Sequence, residues 1–248
     1  MEKVYEWPNV FFDTKFSFCP GCTHGIAHKL IAQAIEELGI EEKTIGVDGN
    51  GCSNIVYMNI DNIFAAHGRG PAMASGIKAC QPEEIVFSYQ GDGDCASIGA
   101  AEVIHAASRG ENITVFMLNN GVFAMTGGQK APTTLLGQKT TTTQDGREAK
   151  RDGFPIKEAE LLATVPGSSY IARGALNGSA NIAAAKKYVK KAFQTQMEGK
   201  GFSFVELLSA CPTNWGVNPV EAMERIEEEM IPYYPLGEIM IDGERVKE

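Results

Sequence analysis

Long hydrophobic runs are missing from this sequence: no uninterrupted apolar stretch approaches the roughly 20 residues of a membrane-spanning helix. The residues up to Phe16 lack a basic region followed by an apolar stretch, so we expect no secretory signal peptide. There is no basic tract, and a net charge of −9 disfavours nucleic acid as the main partner. These absences predict a cytoplasmic protein that contacts neither membrane nor nucleic acid, with the 44% apolar fraction of a globular domain.

The six cysteines are unevenly spaced in a chain of 248 residues. Without a secretion signal, metal binding or catalysis is favoured over disulfides. Cys19 and Cys22 form a CxxC pair, which alone suits a zinc half-site, a redox dithiol or half of an iron–sulfur ligand set. The sequence lacks a second CxxC, which disfavours a zinc ribbon, and no thioredoxin-like strand immediately precedes the pair.

Residues 85–129 alternate the patterns of strands, polar turns and a helix. The apolar run Ile85–Tyr89 leads into the turn Gly91–Asp94; a helical pattern follows, and the β-rich run Ile113–Leu118 then ends in Asn119–Gly121. Strand, helix and strand in this order form one βαβ unit, whose strands are parallel neighbours. Both polar turns should therefore lie at the carboxyl edge of the sheet, where open α/β sheets bind ligands.

The whole chain, residues 1–248, is predicted to be a single α/β domain: a mainly parallel sheet with helices on both faces. Residues 1–18 should form an aromatic arm that packs on this domain or on a partner, and residues 231–248 a tail at the surface or an interface. Residues 130–153 show no period, so we expect a functional loop over the active site or into a partner. Further elements are predicted at Thr44–Val47, Ile63–Ala66, Gly167–Ala172, Phe202–Leu208 and, as an acidic helix, Pro219–Met230.

The two polar turns carry the oxygen atoms that a magnesium ion prefers. Asp92 supplies a carboxylate and Asn120 an amide oxygen, while Gly91 and Gly93 let the backbone approach a ligand closely. The helix after Gly93 aims its amide donors at an anion. Because Mg²⁺ usually takes few protein ligands together with ligand phosphate, this pattern predicts a diphosphate held through Mg²⁺.

The turns Gly91–Asp94 and Asn119–Gly121, with the later run Met125–Gln129, resemble the thiamine-diphosphate motif of 2-oxoacid:ferredoxin oxidoreductase beta subunits. The resemblance implies the diphosphate-binding type of thiamine-diphosphate-binding fold. It also implies that Mg²⁺ is held by Asp92, Asn120 and the backbone carbonyl of Val122. The other residues that it places around the cofactor are Gly91, Gly93, Asp94, Gly51, Cys52, His67, Arg69 and Thr126.

The same resemblance resolves the cysteine pattern. Members of this family hold a [4Fe-4S] cluster with a CxxC pair, a third cysteine in a GCS turn and a distant fourth; these are matched here by Cys19, Cys22, Cys52 and Cys211. Cys80 and Cys95 have no such context and are expected to be small buried residues. His24 resembles the family's histidine near the thiazolium, and His67 lies in a segment similar to the family's HGR segment near the cofactor. The resemblance implies a catalytic role for both, with a purely structural role as the alternative; His28 and His105 are expected to be structural.

The reaction implied by the resemblance is the coenzyme A-dependent oxidative decarboxylation of a 2-oxoacid to acyl-CoA and CO₂, with electrons passing through the cluster to ferredoxin. Branched-chain substrates such as 3-methyl-2-oxobutanoate are favoured, followed by 2-oxoglutarate or pyruvate. The aminopyrimidine-binding half and a ferredoxin-like CxxCxxCxxxCP run are absent, so we expect alpha/gamma and delta partner chains and an inactive isolated chain. The alternatives are a non-redox thiamine-dependent lyase or synthase and a non-catalytic nucleotide-binding module.

Overall fold

A computed structural model describes residues 7–246 of the protein. The first residues of the predicted arm, 1–6, and the last of the predicted tail, 247–248, lie outside the described part. Across the described range, no helix is long and apolar enough to cross a membrane.

The strands alternate with helices along the chain, as the sequence predicts. The strands are β1 (Thr44–Asp48), β2 (Asp61–Phe64), β3 (Ile85–Gly91), β4 (Thr114–Asn119), β5 (Val122–Phe123), β6 (Gln129–Lys130), β7 (Ser168–Ala175), β8 (Phe202–Leu208), β9 (Gly237–Ile241) and β10 (Glu244–Arg245). The helices are α1 (His24–Leu38), α2 (Gly70–Cys80), α3 (Ala100–Ser108), α4 (Ala149–Asp152), α5 (Glu158–Leu162), α6 (Ser179–Met197), α7 (Pro212–Trp215), α8 (Pro219–Arg225) and α9 (Ile231–Tyr233). Shorter turns are a 3₁₀ turn at Glu41–Lys43 and π-helical turns at Asp94–Ile98 and Ile226–Met230.

Eight strands form one sheet in the order β10-β9-β7-β8-β4-β3-β1-β2. The six strands β2, β1, β3, β4, β8 and β7 pair in parallel. β9 pairs antiparallel with β7, and β10 pairs antiparallel with β9. The prediction of a mainly parallel sheet is therefore confirmed. Because β3 and β4 are direct neighbours, their carboxyl ends lie side by side.

Alternate residues of the central strands point into two separate hydrophobic cores. Phe87 of β3 and Phe116 of β4 pack with α1 and α6 on one face. Val86 and Val115, their neighbours in the chain, pack with α2, α3 and α5 on the other face. This alternation follows from the two-residue period of a strand, and it confirms that helices cover both faces of the sheet.

The described part of the N-terminal arm packs on its own domain. Trp7, Phe11, Phe16 and Phe18 form a chain of ring contacts with centroid distances of 5.1–5.7 Å. Phe16 also meets Tyr57 edge-on at 4.9 Å. Of the two expectations for the arm, packing on the same chain is the one that the described residues follow.

The C-terminal part contains the predicted acidic helix and two strands that the sequence did not predict. The predicted helix Pro219–Met230 is present as α8 continued by a π-helical turn, and it begins with a capping box of Asn218 and Glu221. The predicted surface tail supplies two strands that were not predicted, β9 and β10; they lie at the edge of the sheet, and of their residues only Met240 is buried. Asp242, with a φ of 52°, and Gly243 form the tight turn between these two strands.

Candidate functional site

Two adjacent cavities lie at the carboxyl edge of the sheet. The first, which we call the turn cleft, lies where β3 and β4 end, so the two predicted polar turns do come together. Its lining contains eleven of the residues named from the sequence: His24, Gly51, Cys52, His67, Gly91, Asp92, Gly93, Asp94, Asn120, Val122 and Thr126.

Asp92 is held rigidly at the base of the turn cleft. Its Oδ1 accepts a hydrogen bond from the Gly93 N–H at 2.9 Å. Its Oδ2 accepts one from the Gly121 N–H at 2.8 Å and another from the Thr133 hydroxyl. Burial raises the pKa of Asp92 to about 7, against the lowering effect of these donors. A bound cation would offset the cost of burying this carboxylate in its charged form. Asp92 is therefore suited to be a ligand of Mg²⁺.

Asn120 faces the same cleft from the neighbouring strand end. Its side-chain oxygen accepts from the Val122 N–H at 3.1 Å, and its backbone carbonyl accepts from the Trp215 indole N–H at 3.0 Å. Asp92, Asn120 and the Val122 backbone thus provide hard oxygen donors around one cleft, and this donor set fits Mg²⁺.

At Gly93 the backbone of the turn packs closely against the Phe123 ring. A Cβ atom at this position would lie 2.3 Å from the Phe123 ring, so a larger residue would displace the ring that lines the cleft. The chain then winds directly into the π-helical turn Asp94–Ile98, followed by α3. The glycine is therefore required by the packing of the Phe123 ring.

Asp94 lines the cleft, but its carboxylate is already engaged. Oδ1 contacts His67 Nδ1 and accepts from the Gly68 N–H at 2.6 Å, while Oδ2 accepts from the Gln90 amide at 2.8 Å. The side chain is 2% exposed. Asp94 consequently fixes the orientation of His67, which is the direct role that its contacts support.

Arg69 is the predicted cofactor-site residue that does not line the cleft. Its guanidinium pairs with Glu102 and donates to the carbonyl of Ile98 at 2.7 Å. These partners hold the side chain on the outer surface between α2 and α3. The structure therefore gives no support to a contact between Arg69 and the cofactor.

His24 lies on the wall between the two cavities and lines both of them. Its Nδ1 is 2.8 Å from the Tyr89 hydroxyl, and its ring stacks on Phe18 with centroids 5.3 Å apart. Burial lowers the pKa of His24 to about 3, so the ring is neutral at physiological pH. His28 has HxxxH spacing from His24, but both of its ring nitrogens face carbonyl oxygens, at 2.8 and 2.7 Å, which confirms its structural role.

The second cavity, which we call the thiol cavity, is lined by Cys19, Cys22, Cys52 and Cys211. Its volume of about 340 Å³ is within the range of cofactor sites, roughly 300–1,000 Å³. The cysteines come from the segment before α1, the turn after β1 and the end of β8. The Thr23 hydroxyl joins the first and last of these segments: it lies 2.8 Å from the Ser209 hydroxyl and accepts from the Ala210 N–H at 2.9 Å.

The thiol cavity disfavours thiolates that carry no metal. Burial, followed by repulsion from the other thiols, raises the pKa of Cys22 to about 12 and also raises the pKa of Cys52. A reactive thiol needs a lowered pKa, and neither Cys22 nor Cys52 has one. In residues 7–246, no three or more His, Cys, Asp or Glu side chains are grouped closely enough to hold a metal ion directly. A [4Fe-4S] cluster takes four thiolates, one on each iron, and four thiols line this cavity.

The remaining two cysteines differ from each other. Cys95 is fully buried, as expected. Cys80 is exposed at the end of α2, so the expectation that it is buried was wrong. Cys80 is the last residue of α2, and a helical pattern does not show whether the final turn of a helix is covered.

The loop at residues 130–153 does not form a lid over the cleft. It packs against the two polar turns, and within it Arg147 is buried and donates to the carbonyls of Pro132, Thr134 and Phe154 at 2.9, 2.5 and 2.8 Å. No residue of the loop lines the turn cleft, so the expectation of a covering loop was wrong, while the alternative of a loop into a partner stays a prediction. Thr133, from this loop, is the residue that bonds to Asp92.

Several residues around the two cavities were not found from the sequence. They are Thr133 beside Asp92, Trp215 beside Asn120, Tyr89 beside His24 and Asn214 beside Cys211. Each acts through another side chain or carbonyl, and all but Asn214, which is three residues from Cys211, lie far along the chain from the residue they contact. No local motif marks such residues, so only the folded chain reveals them.

Comparison with known proteins begins with a family match. Residues 49–207 match the C-terminal TPP-binding domain of the thiamine pyrophosphate enzymes. A solved 2-oxoglutarate:ferredoxin oxidoreductase from Magnetococcus marinus, with 2-oxoglutarate, coenzyme A and succinyl-CoA bound, has a similar fold. The TM-score is 0.76 at 24% identity, covering 96% of this chain and 86% of that one.

Curated relatives are more similar in sequence. Ketoisovalerate oxidoreductase subunit VorA of Methanothermobacter marburgensis is 43% identical over 238 residues, which are 95% of this chain and 50% of the relative. The 2-oxoglutarate synthase subunit KorB of Archaeoglobus fulgidus is 35% identical, over 85% of this chain and 75% of the relative. The 2-oxoacid:ferredoxin oxidoreductase subunit beta of Saccharolobus solfataricus is 33% identical, over 79% and 62%. This chain thus spans about half the length of VorA.

Proposed function

This chain belongs to the thiamine-pyrophosphate-binding beta subunits of the 2-oxoacid:ferredoxin oxidoreductase family, and on that premise we propose that it forms the catalytic half-site of such a complex. The proposed reaction is the oxidative decarboxylation of a 2-oxoacid to acyl-CoA and CO₂. Thiamine diphosphate, Mg²⁺ and one [4Fe-4S] cluster are the proposed cofactors, and ferredoxin is the proposed electron acceptor. The proposed site of action is the cytoplasm, whose reducing conditions keep cysteines available as ligands.

The observation that carries the proposal is the wall shared by the two cavities. His24, Cys52, Asn120, Ala124 and Met125 line both the turn cleft and the thiol cavity. A thiamine enzyme without a redox step has no need for four thiols beside its cofactor site. Electron transfer from one cofactor to another does require that the two sites be adjacent, and this arrangement supports it.

The chain's own residues hold and orient the groups that react. Asp92, Asn120 and the Val122 carbonyl would hold Mg²⁺, and the metal would carry the diphosphate at the end of β3. When bound, thiamine diphosphate supplies the carbanion chemistry that amino acid side chains lack. His67, oriented by Asp94, and neutral His24 would meet the substrate from the two sides of the cleft. Because His24 is neutral, we assign it hydrogen bonding rather than the donation of a proton from an imidazolium.

The proposed substrate is a branched-chain 2-oxoacid such as 3-methyl-2-oxobutanoate. Support comes from the higher identity to VorA, a ketoisovalerate oxidoreductase subunit, at 43%, than to the KorB subunit of Archaeoglobus fulgidus, at 35%. The turn cleft presents the diphosphate side of a thiamine site. Other subunits of the complex are therefore proposed to bind the aminopyrimidine and coenzyme A, and the isolated chain is expected not to turn over.

Three measurements test this function. Anaerobically purified protein should absorb visible light and contain four irons per chain; a colourless, iron-free protein would favour a non-redox lyase. Titration with thiamine diphosphate should show binding that requires Mg²⁺ and is lost in Asp92→Asn, with exposed Asp13→Asn as the matched control. Assays of the whole complex against several 2-oxoacids should give the highest kcat/KM with branched-chain substrates; a clear preference for 2-oxoglutarate or pyruvate would refute the substrate assignment.

A further inference from the structure

Cys211 receives two hydrogen bonds from one residue, Asn214, one turn further along α7. The Asn214 side-chain nitrogen, Nδ2, lies 3.2 Å from the Cys211 sulfur. The backbone N–H of Asn214 donates to the same sulfur. Throughout residues 7–246, the hydrogen bonds described give no other thiol of the cavity a side-chain amide donor.

The orientation of the Asn214 amide is determined by its surroundings. Nδ2 also donates to the backbone carbonyl of Ala124 at 3.0 Å, a position where the amide oxygen would be repelled. The amide oxygen lies against Gly128, where an added Cβ would be only 2.9 Å away. Gly128 has a φ of +79° and therefore suits glycine on both conformational and steric grounds. The nitrogen consequently points at Cys211, and the sulfur contact is a fixed feature of the fold.

Asn214 also connects the two cavities. Ala124 belongs to the segment that follows β5 and lines both the turn cleft and the thiol cavity. The same nitrogen thus contacts a proposed cluster ligand and the backbone of a proposed cofactor-binding segment.

We propose that Asn214 sets the reduction potential of the cluster by donating to the Cys211 thiolate. This inference rests on the proposed function, since it needs a cluster in the thiol cavity. The cluster accepts one electron at a time and passes it to ferredoxin, so its reduced form carries one additional negative charge. A hydrogen-bond donor on a ligand sulfur stabilises that charge, and the midpoint potential rises. Asn214 is a positioning and tuning residue in this role, because it contacts the ligand sulfur and not the substrate.

The test is a redox titration of the assembled complex, followed by electron paramagnetic resonance of the reduced cluster and by visible absorbance. We expect Asn214→Leu to shift the reduction equilibrium about tenfold toward the oxidised form, which is about 59 mV for one electron. Asn214→Asp, which keeps the shape but replaces the donor with an acceptor, should shift the potential in the same direction and further. Iron content should remain that of the wild type in both variants.

Thr213→Val is the matched control, because Thr213 lies in the same turn and lines the same cavity. Its potential should equal that of the wild type. Unchanged potentials in Asn214→Leu and Asn214→Asp, with full iron content, would overturn the inference and leave the proposed function intact. If Asn214→Leu loses its iron, the isosteric Asn214→Asp decides alone. If this chain holds no cluster in the wild-type complex, both the proposed function and the role of Asn214 would be overturned.

Discussion

The Thr133 hydroxyl donates a hydrogen bond to the Asp92 carboxylate, although 41 residues separate the two in the sequence. Thr133 is 1% exposed, and its own backbone carbonyl accepts from the Tyr234 hydroxyl at 2.7 Å. The proposed metal ligand is thus positioned by a loop that is itself anchored near the C-terminal end of the chain.

We expect Thr133→Val to weaken Mg²⁺-dependent binding of thiamine diphosphate by about tenfold, since a hydrogen bond to a charged group contributes roughly 1.5 kcal/mol. Isothermal titration with and without Mg²⁺ measures this effect. Thr133→Ser keeps the hydroxyl and should bind like the wild type. Equal affinities in the Val and Ser variants would show that the contact does not position Asp92.

Glu158 predicts a distinctive pH dependence of stability. It is buried, one of its oxygens has no hydrogen-bond partner among the described residues, and burial together with nearby Glu206 raises its pKa to about 8. Because the folded pKa lies above the unfolded value of 4.5, the folded chain retains the proton longer. This contribution to stability is complete below pH 4.5 and is lost as the pH rises to about 8.

Glu158→Gln should therefore stabilise the protein at pH 8 by a few kcal/mol, on the order of the shift in pKa. Its advantage should vanish near pH 4.5, the ordinary value. Denaturant unfolding at a series of pH values measures the difference. Exposed Glu228→Gln serves as the control and should show neither effect; a Glu158→Gln curve parallel to that of the wild type would contradict the prediction.

Arg173 is fully buried between two glutamates on neighbouring elements. Its Nε donates to Glu206 at 2.8 Å, and its Nη1 donates to Glu160 at 2.8 Å. Glu206 in turn accepts from the Asn119 amide at 2.7 Å, one residue before Asn120, a proposed Mg²⁺ ligand. We expect Arg173→Met to cost about 3 kcal/mol of unfolding free energy, because it leaves the buried Glu206 carboxylate unpaired.

Thermal unfolding should also show that Arg173→Met combined with Glu206→Gln recovers part of this loss. Lys200→Met, which breaks only exposed ion pairs, should leave the melting temperature unchanged. A double variant no more stable than Arg173→Met would indicate that the unpaired charge is not the cause.

The cysteines make a prediction that is independent of substrate. Replacing Cys52 or Cys211 by serine should remove most of the iron and the visible absorbance, because both sulfurs line the thiol cavity. Replacing exposed Cys80 by serine should change neither. Iron retained in Cys211→Ser would remove this residue from the proposed ligand set.

Part of this site was predictable from local sequence. Asp92 and Asn120 end consecutive strands of one βαβ unit, and such strands are neighbours by a general rule of topology. The convergence of Cys52 and Cys211 has no comparable basis: β8 is placed between β7 and β4, and spacing alone does not specify this order. For those cysteines the resemblance to a family was needed.

Other differences have individual physical causes. Thr133 lies in a segment without periodicity, and its role depends on Arg147 folding that segment back against the turns. The hairpin of β9 and β10, in contrast, did have a sequence signal. Asp242-Gly243 between short apolar and mixed runs is typical of a two-residue hairpin turn.

The wall shared by the two cavities has an evolutionary consequence. A substitution at Met125 or Ala124 changes the surroundings of both cavities at once. Under the proposed function, natural variation at these positions cannot adapt substrate preference without also altering the surroundings of the proposed cluster. We expect the two properties to diverge together among descendants of this chain, as a single inherited trait.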